Sequence, residues 1–234
     1  MIHPIVNHNP KELPKIEIGG FSKDVVYLTE IFESIQGEGT YAGHRRTFIR
    51  FASCSVGCSW CDTDYAPRYT LSPQEVVQQL NPRLDGVVIT GGEPTDQSEA
   101  LEALCIELKR EGFFVELETS AANDISEMCY AHIDHITISP KSVERLPAAH
   151  AYGGHMRWIG ALKFIATSYW KVERILQVLE LFPTVEVYVQ PLETNGEYDW
   201  ERAIDMVEVI EGLYSNQNKR VRMSVQIHKL MGKR

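Results

Sequence analysis

Short runs of β-branched and aromatic residues recur along this chain, separated by stretches in which apolar residues return every three or four positions. The runs Val25–Thr29, Thr47–Phe51, Gly86–Thr90, Phe113–Leu117, His135–Ile138, Ala161–Ile165, Glu186–Gln190 and Val221–Gln226 predict strands. Helical spacing marks 73–80, 98–111, 169–181 and 199–215. Ser72 before Pro73 and Glu75 reads as an N-cap, and Leu101, Leu104, Cys105 and Leu108 form an apolar stripe that Gly112 ends. Strands alternating with helices predict parallel β joined by crossover helices, an α/β fold. Roughly six βα repeats fall short of the eight in a closed barrel, so an open, partial parallel barrel with about six core strands is expected. Residues 1–24 are proline-rich and aperiodic and read as an N-terminal arm, leaving 25–234 as one domain.

In such folds the chemistry gathers at the C-terminal ends of the strands. Here those ends are followed by a cysteine cluster, by Thr90-Gly91-Gly92-Glu93-Pro94, by Glu118-Thr119-Ser120, by Ser139-Pro140-Lys141 and by Gln190-Pro191-Leu192-Glu193. All five segments are predicted to face one mouth.

Hydrophobic residues make up 44% and charged residues 24%, which excludes a disordered chain or a small disulfide scaffold. The net charge of −9 disfavours direct nucleic-acid binding. No stretch approaches the roughly 18 uninterrupted apolar residues of a membrane span, and Met1–Lys15 lacks the apolar core of a secretory signal. A cytoplasmic protein with reduced thiols and no membrane partner is therefore expected, and its five cysteines need another explanation than disulfides.

Three of them form Cys54-Ser55-Val56-Gly57-Cys58-Ser59-Trp60-Cys61, a C-x3-C-x2-C loop. Three thiolates on one short loop suit a compact soft-metal centre, and Gly57 supplies the left-handed backbone that such a wrap uses. Structural zinc usually takes four ligands in paired knuckles, and no second knuckle follows. A [4Fe–4S] cluster held by three cysteines would keep one iron open to a small molecule. Zinc and unliganded structural thiols remain the competing readings. Cys105 and Cys129 lie in helical patterns and are assigned to packing.

The cysteine loop, with an aromatic residue before its third cysteine, resembles that of the radical S-adenosylmethionine (SAM) superfamily, and Gly91-Gly92-Glu93-Pro94 resembles that family's second motif. Phe32–Gly39, Phe48–Phe51, Cys61-Asp62-Thr63 and Gln226–Lys229 together resemble the 7-carboxy-7-deazaguanine synthases within it, over about residues 27–230. The resemblance implies a radical SAM partial barrel, a cluster on Cys54, Cys58 and Cys61, and SAM as a recycled cofactor. It also implies Mg²⁺ on Thr63, a homodimer and an electron donor of flavodoxin or ferredoxin type. The implied reaction turns 6-carboxy-5,6,7,8-tetrahydropterin into 7-carboxy-7-deazaguanine with loss of ammonia, after hydrogen abstraction at C6 by a 5′-deoxyadenosyl radical.

Residue by residue, the resemblance implies substrate contacts from Ile35, Gln36, Gly37, Arg50, Thr90 and His228. It implies SAM contacts from Trp60, Asp62, Gly91, Gly92, Glu93, Ser139, Lys141, Gln190 and Glu193. Arg50 and Glu38 are the candidates for catalytic positions. The chemistry agrees: the Arg50 fork suits a carboxylate, Gln36 and Glu38 suit an aminopyrimidinone edge, and Glu93 can accept from an ammonium. Gly91 and Gly92 would let backbone approach the ligand. Each has a plainer rival: a surface ion pair for Arg50, a turn for Gln36–Gly39, a capping hydroxyl for Thr63, a solvated amine for Lys141, a structural role for His228. A glycyl-radical activase and a non-catalytic metal or redox module are the alternative functions. Ala121-Ala122 stands where the family pattern has a glycine, and the chain continues past His228.

Overall fold

The computed structural model describes residues 17–144, 146, 159–183, 185–214 and 221–232; most of the expected N-terminal arm lies outside them. Eleven strands are present among these residues: β1 Val26–Ile35, β2 Arg45–Phe51, β3 Tyr69–Leu71, β4 Gly86–Gly91, β5 Phe114–Thr119, β6 His135–Ile138, β7 Ile159–Ala166, β8 Glu186–Pro191, β9 Glu193–Thr194, β10 Glu197–Tyr198 and β11 Val221–Met223. The helices are α1 Pro73–Gln78, α2 Ser98–Arg110, α3 Glu127–Ala131, α4 Val172–Leu181, α5 Trp200–Tyr214 and α6 Ile227–Leu230, with a 3₁₀ turn at Pro94–Gln97. No helix among the described residues is long and apolar enough to cross a membrane.

One sheet runs β11-β8-β7-β6-β5-β4-β2-β1-β3. From β2 to β11 every neighbouring pair is parallel, as expected of the α/β pattern. The first strand departs from it. β1 extends to Ile35 and pairs antiparallel with both β2 and β3, because the link from Gln36 to His44 contains no helix that could carry a parallel crossover. The sheet order ends at β11 on one side and β3 on the other, so the barrel is open.

Local signals account for most boundaries. Ser72 caps α1 with a reciprocal capping box to Glu75. At the end of α2, Gly112 N–H bonds Lys109 O and Phe113 N–H bonds Leu108 O, the paired bonds of a Schellman stop. β3 is short, and the β9–β10 hairpin turns at Asn195-Gly196, an Asn-Gly signal passed over in the strand pattern.

The two sheet faces differ in kind. Ile49, Val87, Ile89, Val115, Leu117, Ile136, Leu162, Phe164, Val187 and Val189 belong to one core with the apolar stripes of α2, α4 and α5. On the inner face alternate residues are largely polar: Arg46 and Arg50 on β2, Thr90 on β4, Glu116 and Glu118 on β5, Lys163 on β7, Tyr188 and Gln190 on β8. Phe32, Phe48 and Val88 form a small apolar cluster there, the two rings stacked at 5.1 Å. Parallel strands buried on both faces read as continuous apolar runs. These alternate because their inner face lines a cavity.

Two glycines fix how β4 meets the cysteine loop. Gly92 N–H bonds Phe51 O, and Glu93 N–H bonds Ser53 O, both at 3.0 Å. A Cβ on Gly92 would stand 1.6 Å from Ser53 O, and one on Gly91, at φ +138°, would stand 2.3 Å from Phe51 O. The close approach expected towards a ligand is therefore an approach to the chain's own backbone. Gly92→Ala should lower stability by about 3 kcal/mol or more. Gly212→Ala, on an exposed turn of α5 where a Cβ meets nothing within 4 Å, should raise it by about 0.5–1 kcal/mol. Denaturant unfolding of both variants checks the contrast.

Candidate functional site

The strand ends surround a cavity of about 430 Å³, within the range of small-molecule sites. Cys54, Cys58, Cys61, Trp60, Asp62 and Thr63 line it from the loop after β2, and Thr90, Gly91, Gly92 and Glu93 from the end of β4. Ser139, Lys141, Gln190 and Glu193 line it from the ends of β6 and β8, and Gln36, Glu38, Arg50 and His228 also reach it. Two expected substrate residues do not line it. Ile35 sits opposite Arg45 at the end of β1. Gly37 instead gives its missing side chain's place to His228, whose Nδ1 would be 1.9 Å from a Cβ there.

The cysteine loop is held from both sides. Ser53 N–H bonds Tyr65 O at 2.8 Å, while Asp96 accepts from Ser55 N–H and Oγ, each at 2.7 Å. Gly57 adopts φ +61°, the left-handed conformation expected of it. The Tyr65 hydroxyl pKa is raised by its partial burial and then by the charges of Cys54, Cys61 and Cys58, so all three thiols act on one neighbourhood. Among the described residues no three His, Cys, Asp or Glu side chains converge on a point where a single metal ion could sit.

Glu93 has a different duty from the ammonium contact expected of it. Its carboxylate is 1% exposed as a residue and already accepts from Thr95 N–H (3.1 Å) and Oγ1 (2.8 Å), Thr119 Oγ1 (2.6 Å), Ser120 N–H (2.8 Å) and the Ser120 hydroxyl. With its oxygens so occupied, Glu93 is the pin that fastens the end of β4 to the end of β5. Ala121, just beyond, adopts φ +60°, which explains why glycine suits that position.

Ion pairs fill the inner face. Glu38 binds Lys163 and accepts from Gln226 Nε2 at 2.8 Å. Burial alone would raise the Glu38 carboxyl, but Lys163, helped by Gln226 and His228, overrides it and holds it down at about 2. Burial disfavours the Lys163 charge in turn, and Glu38 with Glu118 raises its pKa nevertheless. Glu118 accepts from Gln36 Nε2 and from Thr90 Oγ1, each at 3.1 Å. Arg50 donates from Nε to Glu30 at 2.8 Å with the Phe32 ring 5.5 Å from its guanidinium. Arg50 is thus ion-paired, but not in the surface pair of the rival reading: the pair lies in the cavity wall.

Further out, Lys141 donates to Ser139 Oγ at 2.8 Å and stands 5.5 Å from the Trp60 ring. Burial lowers its pKa, and the charge of Lys163 adds to that. Burial lowers His228 likewise, so it is held towards the neutral form. Lys229 bridges Asp62 and Glu193. Glu30 and Lys163 stand outside every predicted site segment, while Glu118 and Lys229 lie in segments singled out from the sequence but carried no expected role of their own. Lys163 was discoverable as a lone cation inside the apolar run Ala161–Ile165, whereas nothing local marks the partner of Lys229.

A family model described as the radical SAM superfamily matches residues 48–182. A 7-carboxy-7-deazaguanine synthase of Haemophilus influenzae is 30% identical over 209 residues, covering 88% of this chain and 92% of that one. One of Synechocystis is 33% identical over 215 residues, covering 88% and 93%. This chain belongs to the 7-carboxy-7-deazaguanine synthases of the radical SAM superfamily. The fold agrees with a crystal structure of QueE from Escherichia coli, with a TM-score of 0.61 at 24% identity over 86% of this chain and 94% of that one.

Membership in the radical SAM superfamily implies a [4Fe–4S] cluster and SAM. The residues present fit them. Three thiols from one short loop line the same cavity, the donor type that an iron–sulfur cluster takes. Across the cavity, Gln190 Oε1 is buried without a hydrogen-bond partner among the described residues, an acceptor that a bound ligand's donor would satisfy.

Lys163→Met should destabilise this synthase by about 3–5 kcal/mol, because it leaves the Glu38 charge buried without its cation. Adding Glu38→Gln should recover most of that loss. The Glu38 pKa is depressed on folding from 4.5 to about 2, so its contribution is present above pH 4.5 and disappears as pH falls towards 2. Urea unfolding across that range should show this acid sensitivity in the wild type and less of it in Glu38→Gln.

Proposed function

We propose that this chain converts 6-carboxy-5,6,7,8-tetrahydropterin to 7-carboxy-7-deazaguanine and ammonia. One observation carries the reading beyond family membership. A single cavity brings the three-thiol loop within one space with a set of paired, oriented polar groups suited to a carboxylated heterocycle. Cys54, Cys58 and Cys61 would hold the cluster, which together with SAM would supply the hydrogen-abstracting one-electron chemistry needed at C6 of the substrate.

The chain's own residues bind, orient and shield. Arg50, aimed by Glu30 and Phe32, takes the substrate carboxylate. Gln36, Thr90 and Glu118 present an amide, a hydroxyl and a carboxylate in one hydrogen-bonded row, matching the alternating donors and acceptors of an aminopyrimidinone. Glu38 stays ionised beside Lys163 at neutral pH, so it orients the substrate edge rather than delivering a proton. His228, held towards neutrality, is suited to exchange a proton near the departing nitrogen. Ser139, Lys141, Trp60 and Gln190, whose buried Oε1 has no partner among the described residues, form the SAM side. Thr63 would offer a neutral oxygen to Mg²⁺, which would help to orient the substrate and neutralise its charge.

Loss of ammonia alone balances the atoms of substrate and product, so no net oxidant is consumed and the abstracted hydrogen returns. The same reading includes a homodimer in the cytoplasm supplied with electrons by a flavodoxin or ferredoxin.

Anaerobically reconstituted protein with SAM, a reductant and the carboxypterin should yield the deazaguanine mass. SAM cleavage that never gives that mass would refute the substrate. Arg50→Ala should raise the KM for the pterin about 10- to 100-fold, the range expected when a charged hydrogen-bond partner is lost. Steady-state kinetics at saturating SAM measure it.

A further inference from the structure

The open barrel leaves the edge strands β11 and β3 at opposite ends of the strand order, with no ladder between them. The segment after β11 lies against the loop that leaves β1. Gly39 N–H bonds Ser224 Oγ at 3.3 Å, Gln226 Nε2 reaches Glu38, and Ile227 N–H bonds Gly37 O at 3.2 Å. His228 stacks into the space that Gly37 leaves. Ile227 and His228 are the first two residues of the short helix α6, and none of its four residues is buried. Leu230, at its end, is 66% exposed. Apolar burial therefore does little to hold this helix; polar ties hold it.

The outermost tie is Lys229. Its ammonium donates to Glu193 Oε2 at 2.9 Å and to Asp62 Oδ2. Asp62 follows the last cysteine of the loop after β2, and Glu193 lies just beyond β8. Those strands are separated by β4, β5, β6 and β7 in the sheet, so one side chain joins two rims of the mouth that no ladder connects. The charge of Asp62 acts against that of Glu193, so without the lysine the two rims would repel.

We propose that Lys229 is a positioning residue that clasps α6 across the open side of the barrel, and that this closure couples radical formation to product by keeping solvent from the reacting centre. The coupling part rests on the proposed radical reaction; the clasp itself rests on the geometry alone.

The test compares Lys229→Ala and Lys229→Arg in reconstituted enzyme. It reads iron content, hydrogen–deuterium exchange over 226–232, and deazaguanine formed per 5′-deoxyadenosine with the carboxypterin. With iron unchanged, Lys229→Ala should lose exchange protection in that segment, and its product yield per 5′-deoxyadenosine should fall about threefold or more. Lys229→Arg, which still bridges two carboxylates, should keep both near wild type. The clasp is refuted if the alanine variant keeps its exchange protection or if arginine loses it as alanine does, and the coupling is refuted if the alanine variant keeps its product yield per 5′-deoxyadenosine. A wild type that makes 5′-deoxyadenosine and no deazaguanine would sink the substrate reading instead, and the exchange comparison would still decide the clasp.

Discussion

A sheet that curls without closing leaves one face without a second layer, and every polar group placed there must find a partner or a ligand. In this synthase the outer face is sealed by α2, α4 and α5, while the inner face carries Arg46, Arg50, Glu116, Glu118 and Lys163. Unpaired, such charges would each cost several kcal/mol. They are instead joined in short chains: Arg46 with Glu116 at 2.6 Å, Arg50 with Glu30, and Lys163 with Glu38. Even so, burial pushes the Glu116 carboxyl up to about 6 against the pull of Arg46, a measure of how dry that layer is. Stability and preorganisation thus come from the same contacts.

The two sequence motifs of the site are one structural unit. The glycines of the second motif press against the backbone on which the first begins, so the cysteine loop inherits its position from β4. Glu93 extends the unit to β5 through Thr119 and Ser120, and the 3₁₀ turn it begins carries Asp96 back to Ser55 in the cysteine loop. A change in either motif therefore moves the other. This circuit links thiol placement to the ends of β4 and β5 that wall the cavity.

The last described helix completes the cavity without belonging to the sheet's hydrogen-bonded order. Gln226, His228 and Lys229 each face a different group: Glu38 inside, the bare backbone at Gly37, and the two rim carboxylates. A helix held by such ties can be released without unfolding the barrel, because no large apolar area has to be exposed.

Periodicity alone placed most of the parallel strands and the major helices, because each is a local consequence of side-chain spacing and capping. The family motifs located the thiols, the double glycine and most of the cavity lining, because the chemistry demands those residue types at those separations. Contacts over long separations were not legible in this way. The antiparallel turn of β1, the withdrawal of Glu93 into a five-donor pin, the Glu30 partner of Arg50 and the Lys163–Glu38 pair all depend on which strand lies beside which. Lys229 meets Asp62 across 167 positions of chain. A one-dimensional pattern records the spacing of neighbours in sequence, and only the curl of the sheet brings those distant charges into reach of one another.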